Sequence, residues 1–333
     1  MFKKLLFIVF ILLSQSVQSV QIEIEIEGVK NELLENVQAY LNFEEQKTPS
    51  GLPYNHIIDL HKNVRAYLSL EQQKDHPRLS KSRIRRLHKQ APAEIKKALL
   101  PFGYYRATVT SSLSRPKIEE IECTAKYIVT LGESLKIDLD IQITGEAKTD
   151  DFFNNLLDDF PVKKGDTLNH PNYERAKTVL RNLAEERGYF NAKFSKHEIE
   201  IDEQDYKATI RLYFNSGKRY RFGEVIFKQD FFEESFLRRF LNFKSGDFYT
   251  EYALLSFKNA LLNADYFDNA EIDMPRSSSS GNVYLPINVT LHPRKPNKWT
   301  TGIGYGTDTG VRGSLGYERR YVNRYGHSLS AKT

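Results

Sequence analysis

Residues Leu135 to Thr144 alternate apolar and polar side chains with a period of two, the pattern of a strand with one buried face. Asp151 to Phe160 then predicts a short helix, and Lys164-Gly165-Asp166 breaks it. Pro171 to Arg187 predicts a second helix, with proline at its start and Gly188 just past its end. Phe190 to Ile201 and Lys207 to Phe214 predict two further strands, closed by Asn215-Ser216-Gly217. The unit is β-α-α-β-β, in which two helices can cover one face of a three-stranded sheet. The same order recurs downstream: a strand at Tyr220–Phe227, helices at Glu233–Leu241 and Glu251–Ala264, and strands at Phe267–Ile272 and Val283–Leu291. Lys244-Ser245-Gly246-Asp247 replays Lys163-Lys164-Gly165-Asp166, and Ser277 to Gly281 reads as a flexible hairpin tip.

One phrase marks the helix-to-strand corner of each unit. An apolar helical run ends at a turn residue, two aromatics follow, and a strand begins: Gly103-Tyr104-Tyr105, Gly188-Tyr189-Phe190 and Asp265-Tyr266-Phe267. The corners are spaced about as far apart as small autonomous domains, so the chain is an array of like modules. Gly103 and Gly188 fit a left-handed cap, and aspartate at 265 tolerates that backbone better than most residues. The paired aromatics read as core anchors at the corner. The first module is longer and holds a local duplication, Asn36–Lys47 against Asn63–Lys74. One copy is expected to pack on the sheet, and the other to extend with Thr48-Pro49-Ser50-Gly51.

Composition and the chain start place the array. Lys3 and Lys4, an apolar core from Leu5 to Leu13 and the small Ser19 read as a cleaved signal peptide; the run is too short for a spanning anchor. A net charge of +5 is too mild to imply nucleic acid. The single cysteine, Cys123, allows no internal disulfide and reads as a small buried residue. No nucleophile elbow, His-Glu-x-x-His helix or phosphate loop is present, and the eight histidines are scattered, so neither a catalytic nor a metal or cofactor site is expected.

The corner phrase in β-α-α-β-β modules, Tyr220-Arg221-Phe222-Gly223-Glu224-Val225 opening the third module, and the stretch Gly302–Asp308 through Tyr325–Leu329 resemble TamA-type proteins. These are outer-membrane subunits of translocation and assembly modules, in the superfamily of BamA and the two-partner secretion transporters. The resemblance implies an α+β chain: three tandem β-α-α-β-β POTRA domains, followed by the first two to three strands of an outer-membrane antiparallel β-barrel. The expected divisions are a signal peptide at 1–19, POTRA 1 at 20–131 with the duplicated segment 36–74, POTRA 2 at 132–217, POTRA 3 at 218–292 and the barrel start at 299–333. His292 to Lys298 reads as a linker. Family barrels have sixteen strands, so this chain is expected to be a fragment of a longer protein or a truncated product.

In Gly302-Ile303-Gly304-Tyr305 glycine takes every second place, while Ile303 and Tyr305 share the opposite face, as lipid contact requires. Two readings stand: the glycines ease the parting of a lateral seam where a client strand could pair, or they make room for neighbouring side chains. The stretch Lys81, Arg83, Arg85, Arg86, His88 and Lys89 is either a face that docks an acidic partner or an ordinary solvated helix face. By resemblance the partners are an inner-membrane-anchored TamB-like protein, unfolded outer-membrane clients of the autotransporter type, and outer-membrane lipid if a barrel is complete. The POTRA domains would lie in the periplasm. A soluble periplasmic binding module and a two-partner secretion transporter are the alternatives.

Overall fold

A computed structural model describes residues 21–27, 54–77, 79–114, 122–275, 283–307 and 310–332. The expected signal peptide 1–19, the first copy of the duplication at 36–47, the segment 48–51 and the 277–281 tip lie outside the described residues. The chain divides into two compact units: 1–138 with 163–172 and 200–209, and 139–162 with 173–199 and 210–333.

The first unit opens with β1 (Gln21–Glu27), whose isoleucines alternate inward. α1 (Tyr54–Tyr67), α2 (Ser69–Gln73) and α3 (Lys81–Leu99) follow, then β2 (Thr108–Leu113) and β3 (Glu122–Thr130). β3 is central: β1 pairs with it in parallel and β2 antiparallel. The helices pack Leu60, Val64, Leu68, Leu70, Ile84, Leu87 and Ile95 against Ile22, Ile24, Ile26 and Tyr127 of the sheet. Val64, Leu68 and Leu70 belong to the second copy of the duplicated segment, so that copy serves the core. Cys123 is buried in β3, and its thiol donates to the Ser114 carbonyl at 3.2 Å.

The middle sheet consists of β4 (Lys136–Thr144), β5 (Lys193–Asp202) and β6 (Lys207–Asn215) in the order β4-β6-β5, with α4 (Asp151–Asp158) and α5 (His170–Glu186) between β4 and β5. β5 begins at Lys193 rather than Phe190 because the chain turns first, Ala192 N–H donating to Tyr189 O at 3.0 Å. The third sheet consists of β7 (Arg221–Lys228), β8 (Phe267–Asp273) and β9 (Tyr284–Pro293), with central β9 parallel to β7 and antiparallel to β8. Its helices are α6 (Glu234–Leu237), continued by a 3-10 turn at Arg238–Phe240, and α7 (Glu251–Asn263). Phe222, Phe232, Phe236, Phe243, Phe257 and Phe267 make this core mainly aromatic. The architecture is α+β, with repeated β-α-α-β-β units on unclosed three-stranded sheets.

A meander closes the chain: β10 (Asn297–Gly306), β11 (Gly310–Arg319) and β12 (Leu329–Lys332), antiparallel throughout. The stretch read as a linker, 292–298, is mostly strand. His292 and Pro293 pair with Asn269 and Phe267, and Asn297 and Lys298 already pair with Arg319 and Glu318, leaving Arg294 to Pro296 between strands. Ladder pairing on both sides satisfies backbone groups that a free linker would leave to water.

Candidate functional site: an open strand edge and three corner joints

β10 is an edge strand of the meander, bonded to β11 on one side. The sheet is two-faced. Trp299, Ile303 and Tyr305 of β10 lie in register with Tyr317, Gly313 and Val311 of β11, and Leu315 shares that face. Ile303 is 91% exposed, Val311 77% and Tyr305 76%. The opposite face carries Lys298, Thr300, Gly302 and Gly304 against Glu318, Gly316, Ser314 and Arg312. Exposed apolar faces of this size belong to the class of surface that lipid or another protein covers. A Cβ on Gly302 would lie 2.6 Å from the Ser314 hydroxyl, a terminal group that can rotate away, and one on Gly304 would meet nothing within 4 Å among the described residues. Close packing against described neighbours therefore does not demand glycine at 304.

Lys81, Arg85, Arg86 and Lys89 are exposed on α3, joined by exposed Lys96 and Lys97. At 3.6 residues per turn these six fall on the half of the helix opposite buried Ile84, Leu87, Ala91 and Ile95. Arg83 stands apart: it is half-buried and its Nε donates to Gln73 Oε1 at 2.9 Å. His88 also turns inward, 2.8 Å from the Tyr127 hydroxyl, and burial lowers its pKa.

Gly103, Gly188 and Asp265 all have left-handed backbone, with φ of +82°, +84° and +63°. Beyond capping, each corner is where the next segment attaches. At the first, Leu135 N–H donates to Gly103 O at 2.9 Å, and a Cβ on Gly103 would lie 3.0 Å from the Leu168 carbonyl oxygen. At the second, Tyr220 N–H donates to Gly188 O at 2.9 Å, and a Cβ would lie 3.0 Å from the Tyr249 side chain. Leu168 and Tyr249 hold equivalent places, two residues after the repeated Gly-Asp turn. That turn is built identically twice: Asp166 Oδ2 accepts from Lys163 N–H and Asp247 Oδ2 from Lys244 N–H, each at 2.8 Å. Each turn is then hydrogen-bonded to the opening strand of its own module, Ile137 N–H to Asp166 O and Phe222 N–H to Asp247 O, both 2.9 Å.

The aromatics divide between core and joint. Tyr104, Tyr189 and Phe267 are buried, whereas Phe190 packs edge-on against Tyr220 and Tyr249 of the following module. The second joint adds a buried ionic cluster. Asp150 caps α4 at Phe152 N–H and accepts from Arg187 Nε at 2.7 Å and the Tyr189 hydroxyl at 3.0 Å, with Arg219 Nη1 at 3.6 Å. Burial alone would raise the Asp150 pKa, but the bonds from Arg187, Phe152 and Tyr189 outweigh it and lower it. Burial, then the bond to Asp150, pushes the Tyr189 hydroxyl up to about 12. Arg219, in the inter-module segment, also donates to Arg187 O at 2.8 Å and lies 4.5 Å over the Phe248 ring.

Comparison with known proteins identifies these modules. The model of POTRA domain TamA domain 1 matches residues 50–131, and the POTRA model, described as surface antigen variable number repeat, matches 139–217 and 220–290. Among solved structures, BamA from Haemophilus ducreyi lacking POTRA domains 1–3 is similar at 22% identity over 59% of this chain and 36% of its own, with a TM-score of 0.47. POTRA3–5 of Haemophilus influenzae BamA is similar at 17% identity over 61% of this chain and 79% of its own, TM-score 0.36. CdiB from Acinetobacter baumannii is similar at 15% over 60% and 38%, TM-score 0.37. The chain thus spans little more than a third of the Haemophilus ducreyi BamA and Acinetobacter baumannii CdiB chains. The two POTRA models together cover more than half of the sequence, and the chain belongs to the POTRA-domain proteins, its first domain matching the TamA type.

Proposed function

We propose that this chain supplies the periplasmic POTRA domains and the opening barrel strands of an outer-membrane protein assembly or translocation factor, and that it works by strand addition. The observation that supports the reading is the β10–β11–β12 meander following the third POTRA domain, with an apolar outer face and with β10 at the sheet edge among the described residues. An open edge presents a row of backbone donors and acceptors, and an unfolded β-rich client can satisfy them without cofactor, nucleotide or covalent chemistry. Ile303, Tyr305 and Val311 would face lipid, and the parting of a seam at β10 would be eased by Gly302 and Gly304, which contribute no side-chain packing.

In the same reading, the six-cation face of α3 docks an acidic surface of an inner-membrane-anchored TamB-like partner, and the clients are outer-membrane proteins of the autotransporter type. Among the described residues none of these six cations has a resolved ion pair within the domain, which leaves their charge available at longer range. The leader at 1–19 would deliver the chain to the periplasm for insertion into the outer membrane.

A photoreactive residue at Thr301, in native membranes while client folding is stalled, tests the strand-addition step. The expected product is an adduct with a client strand, reduced severalfold by Gly302→Val with Gly304→Val. Adducts confined to the chain itself, or unchanged by the double substitution, would contradict the reading.

A further inference from the structure

The third corner keeps the left-handed backbone with a residue that does not favour it. Glycine adopts positive φ freely, whereas aspartate does so at a cost. What Asp265 adds is a carboxylate that gathers three cations from the two ends of the β10–β11 hairpin. Oδ1 accepts from Arg294 Nη1, while Oδ2 accepts from Lys298 Nζ at 3.1 Å and Arg320 Nε at 3.0 Å. Arg294 precedes β10, Lys298 lies at its start, and Arg320 follows β11, so a single side chain holds both legs of the hairpin at its base.

The surrounding contacts point the same way. Arg294 N–H donates to Tyr266 O at 2.8 Å, and its Nε donates to Asp268 Oδ1 at 2.8 Å. Arg320 N–H donates to Pro296 O at 2.7 Å and its Nη1 to Lys295 O at 2.8 Å, tying the two legs to each other. Residues 321–326, between β11 and β12, then sit on the aromatic core of the third domain. Tyr321 packs edge-on against Phe232, Tyr266 donates its hydroxyl to Gly326 O at 2.8 Å, and a Cβ on Gly326 would run into the Phe236 ring. Glu233 N–H donates to Arg324 O at 2.9 Å. The aromatic seat fixes where the loop lies; the ionic cluster fixes where the two strands start.

We propose that Asp265 is a positioning residue, an ionic pin that sets the direction in which the β10–β11 hairpin leaves the third POTRA domain. The left-handed strain is offset by the cations it gathers, and glycine at this corner would relax the backbone while releasing the hairpin. This inference does not depend on which client, if any, the β10 edge receives.

Asp265→Gly separates the two roles, because it suits the backbone and removes only the pin; Asp265→Asn keeps a side chain of the same shape without charge. Amide hydrogen exchange is followed in the intact protein at Arg294 and Arg320, with Leu135 and Tyr220 as reference amides at the first two joints. Both variants are expected to exchange about tenfold faster at Arg294 and Arg320, with Leu135 and Tyr220 unchanged, since local opening moves only the amides it exposes. Unchanged or slower exchange at Arg294 and Arg320 would overturn the proposal. Equal acceleration at Tyr220 would also overturn it, assigning Asp265 to general stability instead.

Discussion

The second and third joints attach a new segment to the same kind of corner, but with different forces. At Gly188 the following module approaches until a Cβ would lie only 3.0 Å from the Tyr249 side chain, and the charged groups beside it, Asp150, Arg187 and Arg219, are nearly closed off from water. At Asp265 a side chain is present, and the carboxylate and two of its three cations, Arg294 and Lys298, are each about one-third exposed or more. Buried packing and a dry ion cluster resist solvent conditions, whereas exposed ion pairs are screened by salt and titrated by acid. The second joint combines close packing with a buried ion cluster, and the third combines an aromatic seat with partly exposed ion pairs. The contrast teaches that a repeated sequence phrase can keep its backbone geometry while changing the interaction it supports.

The largest expected effect that would break this comparison is at Asp150. Asp150→Ala leaves two arginines facing each other with little water and removes the cap of α4, so it should cost about 3 kcal/mol or more in unfolding free energy. A chemical-denaturation midpoint indistinguishable from wild type would show that the second joint is not held by its buried cluster. Gly188→Ala comes next, at about 2 kcal/mol, from left-handed strain and the approach of Tyr249. The Tyr220 amide should then exchange faster in proportion. Asp265→Gly should be far milder globally, within about 1 kcal/mol, because partly exposed pairs contribute little and the backbone relaxes.

The smallest effect concerns acid. Burial pushes the Asp265 carboxyl up, but hydrogen bonds from Lys298, Arg320 and Arg294 prevail and hold its pKa at about 2, below the ordinary 3.8. Because the folded value is depressed, the stabilisation is complete above about pH 4 and is lost as pH falls toward 2. Asp268 and Glu318, which share Arg294 and Lys298, face the same cations. Trp299 is the sole tryptophan; it packs on Tyr317 on the face opposite Lys298, so its emission reports loosening at the start of the hairpin. Wild type should show a spectral change in that window that Asp265→Asn shifts or removes; coincident acid profiles would contradict the assignment.

The modules themselves were legible from local pattern. The alternation at 135–144, proline and glycine bracketing α5, and the repeated turn before Asp166 and Asp247 each carry their structural reason within a few residues. The joints were not, because each unites positions far apart in the chain: Gly103 with Leu168, Gly188 with Tyr249, Asp265 with Arg320. No periodicity encodes such a meeting. A signal did exist in the pairing of two repeats, the left-handed corner of one module and the Gly-Asp turn of the next, recurring in step. At Asp265 the sequence shows only a tolerated departure from glycine; that the departure brings a carboxylate to three cations emerges from tertiary contacts alone. Arg83 illustrates the same limit, since its charge matches the basic face while its contact with Gln73 takes it elsewhere.

The most direct test of the difference between the joints is a salt series of amide hydrogen exchange on the wild-type protein, comparing Tyr220 with Arg294 and Arg320. Raising ionic strength from about 0.01 M to 1 M shortens the screening length from about 30 Å to about 3 Å. Severalfold faster exchange at Arg294 and Arg320, with Tyr220 unmoved, is the predicted result. Equal response at all three amides, or none at any, would contradict a third joint held by partly exposed ion pairs set against a second joint held by close packing and buried charge.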